Sequence, residues 1–360
     1  MADLQQTSLY AEHLKLQAKM APFAGFAMPI QYTTVKEEVA AVRTKVGMFD
    51  VSHMGEFFVE GPQANDFVDY VMTNDFKNSD PHKAVYSPLC NEDGHILDDL
   101  IAYKINDQTV LICVNAANMQ KDWAWISSKV GDFKCVTKNL SDDFALLAVQ
   151  GPQAAPVLQK VGIKFDEANF PYYSVQTSFF GKSEVILART GYTGEDGFEI
   201  FCSPQIAPTL WNQLHHEQVK PCGLAARDIL RMEVGYPLYG HELNEELTPA
   251  DCGIGWAVKK DKANFIGRNA LIASQPVFQA VKLSIEQGIP RAGYPITNQA
   301  GETIGEVSSG TLSPTLNKGI ALGRVRRTLM PADKVMAINI RGKNILATYH
   351  AKPFLTGGHK

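Results

Sequence analysis

The chain lacks paired cysteines. Its six, at positions 90, 113, 135, 202, 222 and 252, form no CxxC pair and no Cys/His spacing of the zinc-binding kind. We read them as reduced thiols in a cytosol-like compartment, with Cys113, inside an apolar run, as a small core residue. No run approaches 18 apolar residues, which excludes a helical membrane span. No GxGxxG follows a strand near the start, and Gly253-Ile254-Gly255 is too little, so a flavin domain is excluded. Excess charge is missing too: the formal net charge of −4 gives no reason to expect nucleic acid or an anionic membrane as partner. The opening stretch "MADLQQTSLYAEHLKL" carries Asp3 and Glu12 and no long apolar segment, against a secretory signal or a transit peptide. The expected location is cytoplasmic.

What is present is the composition of a globular protein, 45% hydrophobic and 20% charged, in 360 residues, too many for one core. Two segments echo each other: "VEGPQANDFVDYVM" from Val59 and "VQGPQAAPVLQKVG" from Val149. Each reads as strand, Gly-Pro-Gln-Ala and helix, with Pro in the first helical turn. They point either to two related α+β units or to two ordinary strand-to-helix turns. Between them "LIAYKI" and "TVLICVN" read as a hairpin around Asn106-Asp107-Gln108. Ile206 to Glu217 and "CGLAARDILRMEVG" read as helices. From about Val281 short β-branched runs and frequent Gly suggest a small barrel or sandwich.

"HILDDLIAYKI", from His95, puts two aspartates in an apolar run, and a buried carboxylate is costly unless paired. Strand alternation places Asp99 with Leu97, Ile101, Tyr103 and Ile105, the more apolar face, and Asp98 with Leu100, Ala102 and Lys104. A three-residue loop closed by Ile105 and Thr109 would set Asp99 opposite Asn115, a donor. The alternative is that both aspartates bond turn amides at a strand start.

The segments "VGMFDVSHMGEF", "ILDDLIAYK", "VNAANMQKDW", "AVQGPQA", "RTGYTGEDGFEI", "PCGLAARDILRMEVGYPLYGHEL" and "SSGTLSPTLNKGIALGRV" resemble, in order and spacing, the glycine cleavage T-protein (aminomethyltransferase) family over nearly the whole chain. The resemblance implies an α+β fold of three domains in a cloverleaf around a central folate channel. Two domains would be α/β-sandwich-like and the third a C-terminal β-barrel or jelly-roll-like domain. We place the first at 1–50 with 140–275, the second at 51–139 and the third at 276–360. The implied reaction transfers the methylene of an aminomethyl-lipoyl H-protein to tetrahydrofolate, a co-substrate, releasing ammonia. Neither metal nor flavin is implied.

Carried onto this chain, the resemblance makes Asp99 the essential aspartate, as base, positioner or electrostatic stabiliser, with Asp98 its inert neighbour. Glu199 becomes the pterin-binding glutamate, against an exposed strand Glu. Arg227 becomes a partner for a folate carboxylate or ring carbonyl, against a bridge to Asp228 or solvent. Tyr192 packs on the ring system or covers the core. Met54, Val85, Tyr103, Val114, Asn115 and Trp256 are channel-lining candidates or ordinary core. Glu195 and Asp196 read as solvated turn residues. A carrier could dock on Arg291 or on Arg324, Arg326 and Arg327, joined by Arg341 and Lys343. Two related classes remain as alternatives: folate-dependent demethylases, and folate-binding accessory proteins with a "KGCYxGQE" motif where this chain has "RTGYTGEDGFE" and no cysteine.

Overall fold

The computed structural model describes residues 4–358; Asp3 and the outermost ends of the first and last expected domains fall outside them. The N-terminal segment runs through α1 (Tyr10–Lys15), a hairpin of β1 (Lys19–Phe23) and β2 (Phe26–Gln31), α2 (Val35–Thr44) and β3 (Gly47–Asp50). Thr34 and Glu37 close a reciprocal capping box at the start of α2, satisfying donors that a helix start leaves free.

Two runs of elements follow in the same order. The first is β4 (Gly55–Glu60), α3 (Ala64–Val71), β5 (Ala84–Cys90), β6 (Ile96–Asn106), β7 (Thr109–Val114), α4 (Met119–Ser128) and β8 (Val136–Asn139). The second is β9 (Ala145–Gln150), α5 (Ala154–Lys160), β10 (Val175–Phe180), β11 (Ser183–Ala188), β12 (Gly197–Cys202), α6 (Ala207–His216) and β13 (Lys220–Pro221). Their sheets match: β5-β6-β7-β4-β8 and β10-β11-β12-β9-β3-β13, the second having taken in β3. The echo in the sequence is therefore a structural repeat. After α7 (Leu224–Glu233) and α8 (Arg268–Ala273), the chain closes a six-stranded barrel, not a jelly roll. Its strands are β14 (Phe278–Ile285), β15 (Pro295–Thr297), β16 (Thr303–Ser313), β17 (Lys318–Arg326), β18 (Met336–Ile340) and β19 (Lys343–Tyr349). Among the described residues no helix is long and apolar enough to cross a membrane. All six cysteines are free.

Two expectations need correcting. Pro62 and Pro152 precede their helices: the N–H groups of Ala64 and Ala154 bond back to Gly61 and Gly151, so each proline occupies a tight turn, where its fixed φ also suits the chain. The β6–β7 turn has two residues, Asp107 and Gln108, with Asn106 paired to Thr109; a bulge between Lys104 and Asn106 then restores the anticipated register, with Leu100 opposite Val114.

The two sheets face each other across one shared core that includes Phe49, Phe58, Tyr103, Leu111, Ala148, Phe201 and Leu230 of α7. A second core behind the five-stranded sheet holds Phe57, Phe67, Ala102 and Ile112. The β5 and β10 edges also meet: Ala84 N–H bonds Tyr173 O and Val175 N–H bonds His82 O.

At the first repeat glycine φ is +136°, and at the second, +127°; a Cβ on Gly151 would lie 2.6 Å from the carbonyl oxygens of both Val42 and Lys45. Backbone cannot yield as a side chain can. Gly151→Ala should lose about 1–3 kcal/mol in urea unfolding, and more than Gly162→Ala, where nothing lies within 4 Å. Equal losses would show that left-handed φ alone, not the close approach, sets the cost.

Candidate active site

The two aspartates of β6 face opposite ways, as alternation demands, but their surroundings reverse the expectation. Asp98, not Asp99, is on the fully buried side, sharing a face with Leu100 and Ala102. It accepts from the Asn115 N–H (3.1 Å), Asn115 Nδ2 (2.8 Å) and Asn118 Nδ2 (2.8 Å). Asp99 is half-buried on the face shared with Tyr103. Its carboxylate accepts from Asn115 Nδ2 at 2.8 Å and from the Tyr86 hydroxyl at 3.1 Å. Burial, and then the charge of Asp98, push the Asp99 carboxyl up to about 7. A carboxyl poised there can hold a proton or a charge near neutral pH.

Glu199, on β12, is 7% exposed, not a solvated strand residue. Thr190 Oγ1 donates to its Oε2 at 2.6 Å and the Tyr103 hydroxyl to the same oxygen at 3.2 Å. Tyr103 thereby joins the two sheets. Arg227 of α7 forms no bridge to Asp228, which Arg231 takes instead at 2.9 Å. The Arg227 guanidinium lies 4.9 Å over the Tyr192 ring, and its buried Nη1 has no hydrogen-bond partner. Tyr192 stacks on Tyr236 at 5.9 Å, and its hydroxyl donates to the Pro237 carbonyl. Two surface cavities, of about 570 and 480 Å³, lie elsewhere, one on the barrel beside Leu346 and one beside Asp66 and Lys262. Among the described residues no group of His, Cys, Asp and Glu is arranged to hold a metal ion.

Residues 9–262 match the GCVT N-terminal domain and residues 279–355 the glycine cleavage T-protein C-terminal barrel domain. The chain belongs to the glycine cleavage T-protein family. Similar curated relatives include the aminomethyltransferases of Thermosipho melanesiensis, 43% identical over 99% of each chain, and of Staphylococcus saprophyticus, 42% identical over 96% of each. The crystal structure of glycine cleavage system aminomethyltransferase T from Bartonella henselae superposes with a TM-score of 0.92 at 34% identity, over 99% of both chains. The family uses tetrahydrofolate.

Within this family frame, several candidate positions shift. Met54 packs, partly buried, against the shared core that contains Tyr103. Val85 faces the rear core, because it pairs with Ala102; its neighbour Tyr86 holds the place beside Asp99. The Val114 side chain is also in the rear core, so only its main chain can reach the site. Trp256 is 62% exposed and stacks on Tyr86 at 5.8 Å. Glu195 and Asp196 are not solvated: Arg43 binds the first at 2.8 Å and Arg189 the second at 2.6 Å. Arg324 is occupied by Glu306 at 2.5 Å and, with Arg326, flanks Phe278. Arg327 donates to the Phe278 carbonyl, while Arg291, Arg341 and Lys343 are exposed. Sequence reasoning missed Tyr86, Thr190 and Asn118; the β5–β6 register is the signal that would have found Tyr86.

A carboxyl raised on folding is stabilising to protonate, so its ionisation costs stability as pH rises from its ordinary value near 3.8 through about 7. Asp99→Asn should therefore be more stable than the parent above pH 7, with the advantage fading below about pH 4. A melting series over pH 4–8 checks this; a pH-independent difference would place Asp99 in solvent.

Proposed function

We propose that Asp99, Glu199 and Arg227 line one folate site at which this aminomethyltransferase of the glycine cleavage system works. Tetrahydrofolate and the aminomethyl-lipoyl H-protein are the substrates. The methylene carbon leaves the lipoyl sulfur for the folate nitrogens; products are ammonia, 5,10-methylenetetrahydrofolate and the dihydrolipoyl H-protein. The observation that carries the reading is the set of incompletely used polar groups between the facing sheets. The Glu199 carboxylate suits the amino and N–H donors of a pterin, and the free Arg227 Nη1 suits a ring carbonyl or carboxylate. Tyr192 and Met54 offer apolar contact with the ring system.

Positive charge develops on the transferred carbon as ammonia departs. A carboxylate already fixed by Tyr86 and Asn115 opposes that charge without reorganising, and its position near neutrality lets it also take a proton from folate nitrogen. The sheet memberships support division into 1–50 with 140–275, 51–139 and 276–360, with the site between the first two. A cytoplasmic location suits free thiols, five of the six buried.

Asp99→Asn should fold and lose about 10²–10³ in ammonia release from aminomethylated H-protein. Wild-type turnover would remove Asp99 from the chemistry. Asp98→Asn is no neutral control, since it disturbs three hydrogen bonds. By calorimetry, Glu199→Ala and Arg227→Ala should each weaken folate binding by on the order of 2 kcal/mol with little change in melting temperature; unchanged dissociation constants would assign both to the scaffold.

For the acidic carrier we propose the exposed Arg291, whose turn packs on β16 beside the residue that bonds α7, together with Arg326 and Arg327. Arg324 is less available because of Glu306. Arg291→Glu should raise KM for H-protein and leave folate affinity alone, and KM should rise with salt. A salt-independent KM with wild-type behaviour of the reversed variants would exclude both patches.

A further inference from the structure

Behind Asp99 lies a third carboxyl. Asp122, in the first turn of α4, is 0% exposed and stands one helical turn from Asn118, which bonds Asp98, so the two buried carboxyl groups are close enough to share a proton. The two groups are unequally served. Asp98 receives three N–H donors, from Asn115 twice and from Asn118. Neither Asp122 oxygen receives a donor from the described residues. Two carboxyl groups can bond only if one carries a proton. The donors decide which: the charge belongs on Asp98 and the proton on Asp122.

We infer that Asp122 is a positioning residue for the reaction, held as the neutral acid, donating its proton to Asp98 and so keeping one fixed negative charge behind the Asn115 amide that also holds Asp99. This rests on the reading of Asp99 given above. Asn115 Nδ2 spans both sites, at 2.8 Å from an oxygen of Asp98 and 2.8 Å from one of Asp99. A change of charge on Asp98 therefore reaches Asp99 through one side chain and through space.

The other titratable groups do not compete for this part. Lys121, next to Asp122, is tied to Glu245 at 2.6 Å and to the Tyr239 hydroxyl at 3.0 Å. Tyr239 and Cys113 feel the charge of Asp98, and Tyr86, Tyr173, Tyr192 and Cys252 that of Asp99. Burial pushes all six upward, so they stay neutral in the working range. Burial and the charge of Asp98 push Asp122 up in the same way, which agrees with the donor count.

The test reads protons directly on the free, full-length protein, with no substrate. With carboxyl-labelled aspartate, infrared spectra at pH 9 should show one protonated Asp carboxyl. Asp122→Asn, which keeps a donor to Asp98, should lose that band. Its absence from the wild type, or its survival in Asp122→Asn, overturns the assignment. The Asp99 titration, isolated by subtracting the Asp99→Asn spectrum, gives the second readout. Its midpoint should be unmoved in Asp122→Asn. In Asp122→Leu, Asp98 loses its O–H donor and sits against an apolar group, so its charge is held less well, and the Asp99 midpoint should fall by up to about one pH unit, because a neighbouring like charge is weakened. An unmoved midpoint in Asp122→Leu would reduce Asp122 to packing. If that variant does not fold, Asp122→Ala replaces it, with the same fall expected and the same result refuting it. Because no turnover is measured, a failed folate assignment for Asp99 would leave these readings interpretable.

Discussion

Charge taken out of water must find a partner, and α7 is where this chain meets that demand most severely. The helix lies between both sheets and the barrel and carries Arg227, Arg231 and Glu233 inward. Desolvating such groups costs several kcal/mol each unless geometry repays it. Arg231 is repaid by Asp228, Glu242, the Tyr236 carbonyl and Ser309 of the barrel. Glu233 is repaid by Arg43 of α2 at 2.7 Å and by Ser313 of the barrel. These two networks fasten α2 and the barrel to one helix. Arg227 is the exception. With one buried nitrogen unpartnered, it is a charge the fold has desolvated and left for something else to complete.

The same sorting separates the carboxylates. Glu195, Asp196 and Glu233 are matched to arginines and serve the scaffold. Asp99 and Glu199 are held by hydroxyls and an amide, which orient a carboxylate without neutralising it. A negative group oriented but not neutralised is what a cationic reaction coordinate needs. Strand alternation made the arrangement possible: adjacent aspartates on β6 stand on opposite faces, one locked into scaffold and one presented.

Much of this could be read from residues. The Gly-Pro-Gln-Ala echo marked a real repeat, and Asp99 was placed beside Asn115. It was placed there for an imperfect reason, since a bulge corrected a loop of the wrong length. What composition and periodicity could not supply was pairing between distant segments. Tyr86 meets Asp99 only through the β5–β6 register, which turns its neighbour Val85, a candidate from the resemblance, to the rear core. The arginine partners of Glu195 and Asp196 lie on α2 and at the end of β11, so the turn looked solvated. Nothing in a strand pattern reports that Asn118 will fold back onto Asp98.

The meeting of β5 with β10 carries a further consequence for how the strands of these two sheets meet other chains. Each open sheet would otherwise offer its edge as a template for another chain. Here the two edge strands bond each other at their starts, at Ala84–Tyr173 and Val175–His82, and the barrel closes on itself. The outer margins that remain in those two sheets are β8, four residues bearing Lys138, and β13, two residues ending in Pro221. A short strand, a lysine and a proline are poor templates, so the molecule guards against intermolecular strand exchange with the same join that brings its two halves face to face.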